Sequence, residues 1–420
     1  NTGVFVLSFS EPVLLSSIDT SVIQFQSSFK QVSTDEGFRA VAVTNASIYQ
    51  PRDTESALLV ALQLSHDNLN NLKQEPLVCR YTSNCYVVFS DSLLVDMADN
   101  AIAPVVQAFP GQPLQQLLRD ETQPELEAFD LNMDRAQLTL SFSEVVDPAS
   151  LNASALCLHP TSNSSSSSSS SSSRYSWCLT GGSSAGRQVA ADAGVASTVV
   201  VVDVSSDDMR ALKARRVASS ANTTFLSMGA GAIVDTAFEP NGVVGVPRSS
   251  ALGVRSYTGD SVGPRLARFE VDMEVAEVRL LFNEPVEVGS FDVTQFVLQN
   301  VQNSSNGGGV VLEEWRLSNS SSVRGGGNAL TGFTSAAEAA ASVAAGVEVG
   351  ESWVVVELGP DDEIGLKSQR GLAASTETTY AWFGAGLVAD MGGNAVHAIG
   401  AESAQEAVAH AGNEQLTSLV

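Results

Sequence analysis

Gly182-Ser183-Ser184-Ala185-Gly186 spells the G-x-S-x-G pattern that presents a nucleophilic serine in many hydrolases. That serine needs a strand before it, a helix after it and a parallel sheet beneath. Here the pattern lies in a Ser/Gly-rich stretch, so it reads as loop composition and no catalytic residue is assigned. A second chemistry is offered by carboxylates. Glu11, Glu144 and Glu284 each follow an alternating apolar segment, and Asp120 and Asp260 each precede a proline by four residues. A strand end and a domain junction can bring such groups together around Ca²⁺, which takes hard oxygen ligands. No dense D-x-D-x-D loop accompanies them, so solvated turn carboxylates are the weightier reading and no cofactor is expected. No nitrogen- or sulfur-ligated metal centre can be read from spacing. His66, His159, His397 and His410 are scattered, and neither HExxH nor CxxC occurs. The chain is therefore expected not to be an enzyme.

Composition agrees with that expectation. The 420 residues carry a formal net charge of −25 and 44% hydrophobic residues. Such an acidic surface repels nucleic acid and anionic lipid. No stretch of about 18 apolar residues spans a bilayer, and no signal peptide opens the sequence. Cys79, Cys85, Cys157 and Cys178 fall as two local pairs. Three pairings are open, with four buried thiols as the alternative; Cys79–Cys85 and Cys157–Cys178 are favoured because each pair brackets a hairpin or loop. Acceptor sequons stand at Asn45, Asn152, Asn163, Asn222, Asn303 and Asn319. Together these features point to a secreted or cell-surface chain.

The elements that position these residues repeat three times. Phe9-Ser10-Glu11-Pro12-Val13 returns as Phe142-Ser143-Glu144-Val145-Val146 and as Phe282-Asn283-Glu284-Pro285-Val286. A Ser/Asp-rich run ending in Leu-Lys recurs at Lys73, Lys213 and Lys367. A turn recurs from Asp96 to Asn100, Asp235 to Asn241 and Asp390 to Asn394. Several signatures in one order define tandem units. The expected division is repeat one at 1–105, a connector at 106–123, repeat two at 124–245, a connector at 246–263, repeat three at 264–400 and a connector at 401–420.

Each unit reads as β-structure. Leu138–Phe142 alternates in period two, as Val278–Phe282 does more loosely. Leu58–Leu62, Val199–Val202 and Val354–Val356 read as buried central strands. The fold class expected is all-β: three antiparallel immunoglobulin-like sandwiches. The Leu-Lys signature reads as a single helical turn capped by Ser65, Ser206 or Asp361, with its lysine at the negative pole. Asp207-Asp208 and Asp361-Asp362-Glu363 read as helix-start charges. Trp177, Trp315, Trp353 and Trp382 read as core or half-buried strand residues, with a carbohydrate platform as the alternative. Tracts at 164–173, 181–194, 303–309 and 318–328 read as long Ser/Gly loops, and 336–345 as an alanine-rich loop or short helix.

On these residues the units resemble the bacterial-type immunoglobulin-like repeats of surface-layer and adhesin proteins. Phe9–Val13 and Asp390-Met391-Gly392-Gly393-Asn394 match that family's strand end and late turn. Unit two departs, with Val145 in place of the proline and a stretched turn at 235–241. The Ser, Gly and Ala tracts are also similar to those of large green-algal surface proteins and of flagellar mastigonemes. The resemblance implies an extracellular, structural or adhesive role at a cell or flagellar surface. It implies neighbouring repeats and other chains as partners, and carries over no catalytic residue. The alternatives are a calcium-dependent adhesin and, third, an esterase-like or glycan-active enzyme. Units two and three open with Pro-x-Leu-x-x-Phe, and Phe9 stands too close to the first residue to leave room for that strand. Unit one is thus expected to have an open sheet edge, filled by upstream sequence or by another chain's strand, and the chain to be an internal segment of a longer protein.

Overall fold

The computed structural model describes residues 3–29, 37–49, 56–105, 111–162, 176–180, 197–302, 311–325 and 352–411. The G-x-S-x-G pattern, Asn163, Asn303, the serine tract, the 181–194 and 303–309 tracts and the alanine-rich stretch lie outside them.

The chain is all-β, with one short α-helix per unit among the described residues, beside several single 3-10 turns. Unit two shows the scheme. Its strand Gln137–Asp147 alternates buried and half-buried side chains. One sheet runs in the order 197–203, 137–147, 126–132, 256–258; the other runs 177–178, 156–159, 225–228, 252–253. Period-two patterning thus places Leu138, Leu140 and Phe142 on one inner face, opposite Leu156, Leu158 and Leu226. Unit three repeats the plan around Phe269, Phe282, Phe296 and Phe383, and unit one around Ile23, Phe25, Val60, Leu62 and Leu93. The three cores are separate, as tandem domains require.

Four expectations are corrected. The segments at 106–123, 246–263 and 401–420 are not bare connectors. Leu114, Leu252, Val254, Tyr257 and Ala407 pack on the core of the preceding unit. Strands Ser256–Thr258 and Ala409–Ala411 return to the first strand of their own unit and pair with it in parallel, an exception to the antiparallel pattern. Among the described residues the Val199–Val202 run pairs on one side alone, with Gln137–Asp147, and Val199 is exposed; Gln137–Asp147 has a partner on each side. Leu58 and Leu59 are exposed as well, although their strand is central.

The helical element also exceeds a single turn. Helices α1 (His66–Gln74), α2 (Ser206–Ala214) and α3 (Pro360–Ser368) each span nine residues. Ser65 and Ser205 cap α1 and α2 through their hydroxyls, and Gly359 takes the cap position of α3 without a side chain. The caps therefore lie one residue before Ser206, and two before Asp361. Leu212 and Leu366 are buried, and Leu72 packs against the unit-one core.

Unit one differs at its edge. In its first sheet, Val4–Leu14 pairs with Ser56–Leu64, and no described strand lies on its other side, where units two and three place 126–132 and 266–272. Phe5, Leu7 and Phe9 are consequently only half-buried, whereas their counterparts Leu138, Leu140 and Phe142 are buried.

The structure pairs Cys79 with Cys85 and Cys157 with Cys178. The second pair joins directly opposed residues of neighbouring strands at the base of the serine tract. Closing a 21-residue interval stabilises unit two by about 3 kcal/mol in the chain-entropy account. Replacing both Cys157 and Cys178 with Ser should lower unit-two stability by that order in denaturant unfolding, leaving unit three unchanged.

Candidate functional site

The most distinctive chemistry lies between units. Each helix carries a lysine in its last turn, and α1 and α2 project theirs into the following unit. Lys73 Nζ lies 2.7 Å from Asp120 Oδ2 and bonds Glu144 Oε2. Lys213 Nζ lies 2.8 Å from Asp260 Oδ2 and 2.5 Å from Glu284 Oε2. A third carboxylate completes each cluster, Asp235 in the first and Asp390 in the second, with ligand atoms within 4.8 Å of one another.

Local structure explains why the carboxylates converge. In unit two the long inner strand runs on through Glu144 so that Val146 lies opposite Asp235; in unit three it ends at Phe282 and the chain pairs afresh, Val286 opposite Asp390. The glutamate is thereby set beside the late turn. In that turn the aspartate accepts backbone N–H bonds and the asparagine amide, as in Asn241 Nδ2 to Asp235 Oδ2 at 2.8 Å and Asn394 Nδ2 to Asp390 Oδ2 at 2.8 Å. The same amide also holds the linker, donating to the Asp120 carbonyl at 3.1 Å and the Asp260 carbonyl at 3.0 Å. The turn thus fixes both its own carboxylate and the linker's.

Further contacts cross each junction. At the first, His66 Nε2 meets the Ser143 carbonyl at 2.6 Å, Thr236 Oγ1 donates to the Lys73 carbonyl at 3.0 Å, and Tyr81 packs edge-on against Phe238. At the second, Arg216 pairs with Glu287, and Arg210 Nε donates to the Asn283 carbonyl at 3.4 Å.

Electrostatics follows from three carboxylates against one ammonium. Burial pushes the Lys73 and Lys213 amines down, but the adjoining carboxylates outweigh it and hold both above 10.5, so both are charged. Burial, with the neighbouring aspartates, pushes Glu144 and Glu284 above 4.5 despite the lysine. Buried Glu144 Oε1 has no hydrogen-bond partner among the described residues. The glutamate contribution is fully present below pH 4.5 and fades as pH rises through its folded value. The lysine contribution is fully present below pH 10.5 and is lost as pH rises through its still higher folded value.

Of the residues singled out as calcium candidates, Asp120 joins Glu144 and Asp260 joins Glu284, while Glu11 stands exposed at the far end of unit one. The carboxylate sets suit a hard cation in donor chemistry, and in both the cation is a lysine ammonium. Asp235 and Asp390 carried only a turn role in the sequence, and the lysines only a helix-pole role. The signal that links them is the constant step of 47 residues from Lys73 to Asp120 and from Lys213 to Asp260.

A second repeated device was read as helix-start charge. Asp208 is 2% exposed and accepts from Trp177 Nε1 at 2.8 Å and Thr180 N at 3.0 Å. Asp362 is fully buried and accepts from Trp315 Nε1 at 3.0 Å, Ser318 N at 2.9 Å and Ser321 Oγ at 2.6 Å. In unit one, Asn68 takes this place and accepts from Thr44 N at 3.0 Å. Gly365 lets the Trp315 ring lie on α3: a Cβ there would fall 2.1 Å from Cζ2. Arg215, Arg268 and Arg316 stack over Trp177, Trp353 and Trp382. Those rings are half-buried and carry an arginine on one face, unlike an open sugar platform.

His159 is buried, bonded to Ser176 Oγ at 3.0 Å and Ser227 Oγ at 2.7 Å. Burial, then the Arg248 charge, lowers it from 6.5 to about 4. Its neutral form supports unit two above pH 6.5, and that support is lost as pH falls through about 4. The gap is worth ~3 kcal/mol. Unit-two stability should fall by that order between pH 7 and pH 3.5, and His159→Gln should flatten this component of the profile. Asn45, Asn152, Asn222 and Asn319 are all exposed, as glycan carriers must be.

No protein-family model matches the sequence, and no curated protein does. Among solved structures, a marsupial T cell receptor is similar over 93% of this chain and 97% of its own, at 12% identity and a TM-score of 0.14, too low to carry an argument.

Proposed function

We propose that this chain is a non-enzymatic structural segment of a larger extracellular glycoprotein, a row of sandwich units serving as a spacer or filament segment at a cell or flagellar surface. The observation that supports this most is the junction itself. One lysine–carboxylate contact, built from equivalent residues, joins unit one to two and unit two to three. Unit two uses different faces for its two neighbours, so the contact is heterologous, head to tail, as a row of units requires. Two disulfides suit an oxidising compartment, and no helix among the described residues is long and apolar enough to cross a membrane. Sequon asparagines on exposed turns suit a glycoprotein, and the acidic surface suits long exposure to solvent. The narrower reading, a segment of a flagellar hair of the mastigoneme kind, rests on the Ser, Gly and Ala tracts.

The test is to label intact cells with an antibody raised against unit two and image the surface. Regular labelling along an external filament or layer supports the reading. Labelling confined to the cell interior overturns it.

The calcium-dependent adhesin remains the second reading, favoured by the orphaned Glu144 oxygen among three carboxylates. In that case calcium would displace the lysine, and a chelator would change the melting profile. In the lysine-filled junction, chelator and calcium leave it unchanged.

A further inference from the structure

Each internal junction holds an amine, a carboxyl group in contact with it and a second carboxyl group placed to move its protons. Lys73 Nζ lies 2.7 Å from Asp120 Oδ2 and also bonds Glu144 Oε2. Lys213 Nζ repeats this with Asp260 Oδ2 at 2.8 Å and Glu284 Oε2 at 2.5 Å. The six side chains are between 6% and 16% exposed, so water has little access to them. Lys367 differs: it pairs with Glu363 of its own helix, and the two are 34% and 36% exposed.

The two carboxyl groups of each junction are not equivalent. The second oxygen of the aspartate, Oδ1, accepts a backbone N–H from two residues on, Thr122 N at 3.1 Å from Asp120 and Val262 N at 3.4 Å from Asp260. A fixed N–H at that point stabilises the charge that develops on a carbonyl oxygen under attack. The glutamate of the first junction lacks this support. Glu144 is 5% exposed, and its Oε1 is buried with no hydrogen-bond partner among the described residues. Its other oxygen touches the amine. Burial holds Glu144 and Glu284 above 4.5, which suits a group that must take a proton and return it.

We propose that both junctions close covalently: Lys73 condenses with Asp120, and Lys213 with Asp260, each forming a side-chain amide with loss of one water, while Glu144 and Glu284 carry the protons. The ion pairs described above are the state before condensation. An ammonium proton passes through the glutamate to aspartate Oδ2, leaving a neutral amine beside a neutral acid. Nζ attacks Cγ, and the carbonyl π pair moves onto Oδ1 against the backbone N–H. The glutamate takes a second proton from Nζ and delivers it to the Oδ2 hydroxyl. The Cγ–Oδ2 bond breaks, water leaves and the Cγ–Oδ1 double bond re-forms. One N–H remains on the amide, and the glutamate is a carboxylate again. Contact replaces chemical activation, because well-oriented intramolecular partners react as though at about 10⁵ M or more. Each chain performs the step once per junction, a self-modification without turnover. It ties the helix end of one unit to the linker entering the next, and it stands on junction geometry alone, whatever surface the protein serves.

The intact mass of the full chain tests it, with the protein made in a bacterial periplasm, where disulfides form. Circular dichroism first establishes that the chain is folded. Denatured and with its disulfides reduced, it should be lighter than its sequence by two waters. Trypsin should not cut after Lys73 or Lys213 and should still cut after Lys367. Fragmentation should find the Lys73 peptide joined to Asp120, and the Lys213 peptide joined to Asp260. Glu144→Gln should leave only one water missing, with the second junction of the same molecule as its control, and Glu144→Gln/Glu284→Gln should leave none. A folded chain of full sequence mass overturns the inference, as does a missing water traced to any other pair of residues. Links that form undiminished in the double variant overturn the role given to the glutamates. Full sequence mass would leave the spacer reading standing, since ion pairs alone still join the units; labelling confined to the cell interior would remove that reading and leave the amides untouched.

Discussion

Lys213→Met should uncouple unit three from unit two. The lysine is 16% exposed, and its partners Asp260 and Glu284 are 12% and 8% exposed. Removing the ammonium leaves two carboxylates facing Asp390 in a poorly solvated cleft. Breaking one partner out of a buried ion cluster costs about 3 kcal/mol or more, chiefly because the remaining charge is uncompensated. The expected result in calorimetry is a unit-three transition displaced downward by up to about 10 °C and resolved from that of unit two. Glu284→Gln in the same background should recover part of the loss, since it removes one of the stranded charges. Coupling of about 1.5 kcal/mol or more in the resulting double-mutant cycle is expected. Additive effects would mean that the lysine and glutamate act independently. The equivalent change at Lys73 should uncouple units one and two in the same way.

Asp362→Ala should be the most damaging single change outside the aromatic core of unit three. Burial pushes this carboxyl up, but the Ser321 hydroxyl, Ser318 N–H and Trp315 indole that donate to it hold it below 3.8. Its stabilisation therefore persists at any pH above 3.8 and is lost only as pH falls through the lower folded value. With alanine, three donors lose their acceptor in a buried site, each at about 1–3 kcal/mol. A loss of about 4 kcal/mol is expected in denaturant unfolding of unit three. Asp362→Asn should fall between, because unit one works with Asn68 at this position. A loss below about 1 kcal/mol for the alanine variant would show that water satisfies these donors and that the latch is incidental.

The boundary between what was legible in the sequence and what was not follows physical range. Period-two alternation at Leu138–Phe142 and the thrice-repeated Phe-Ser/Asn-Glu segment identify an all-β tandem array, because strand patterning is a local property. The nine-residue helices were underestimated because their ends rest on tertiary contacts, such as Lys73 reaching the next unit, that no window of residues contains. Connector boundaries failed for a similar reason. Ser256–Thr258 and Ala409–Ala411 are short and polar or small, yet they complete the sheet of the unit they follow by parallel pairing with its first strand. Asp120 and Glu144, like Asp260 and Glu284, read as possible calcium ligands second to solvated turn carboxylates, and the structure brings each pair together. Their cation was missed, since a lysine at a helix end already has a sufficient local explanation in the helix dipole. Asp208 and Asp362 were hidden by the same ambiguity: an acidic residue at a helix start satisfies a local rule whether or not a tryptophan from a neighbouring strand seeks it.

The central claim is that two lysine–carboxylate junctions hold three sandwiches in one fixed register. Small-angle X-ray scattering of the dilute 420-residue chain, beside a Lys73→Met/Lys213→Met variant, tests it most directly. The account predicts that the wild-type profile is fitted by a single arrangement of the three units, and that the variant gives a larger radius of gyration fitted only by an ensemble. Superimposable profiles, or a wild-type chain that itself requires an ensemble, would contradict it.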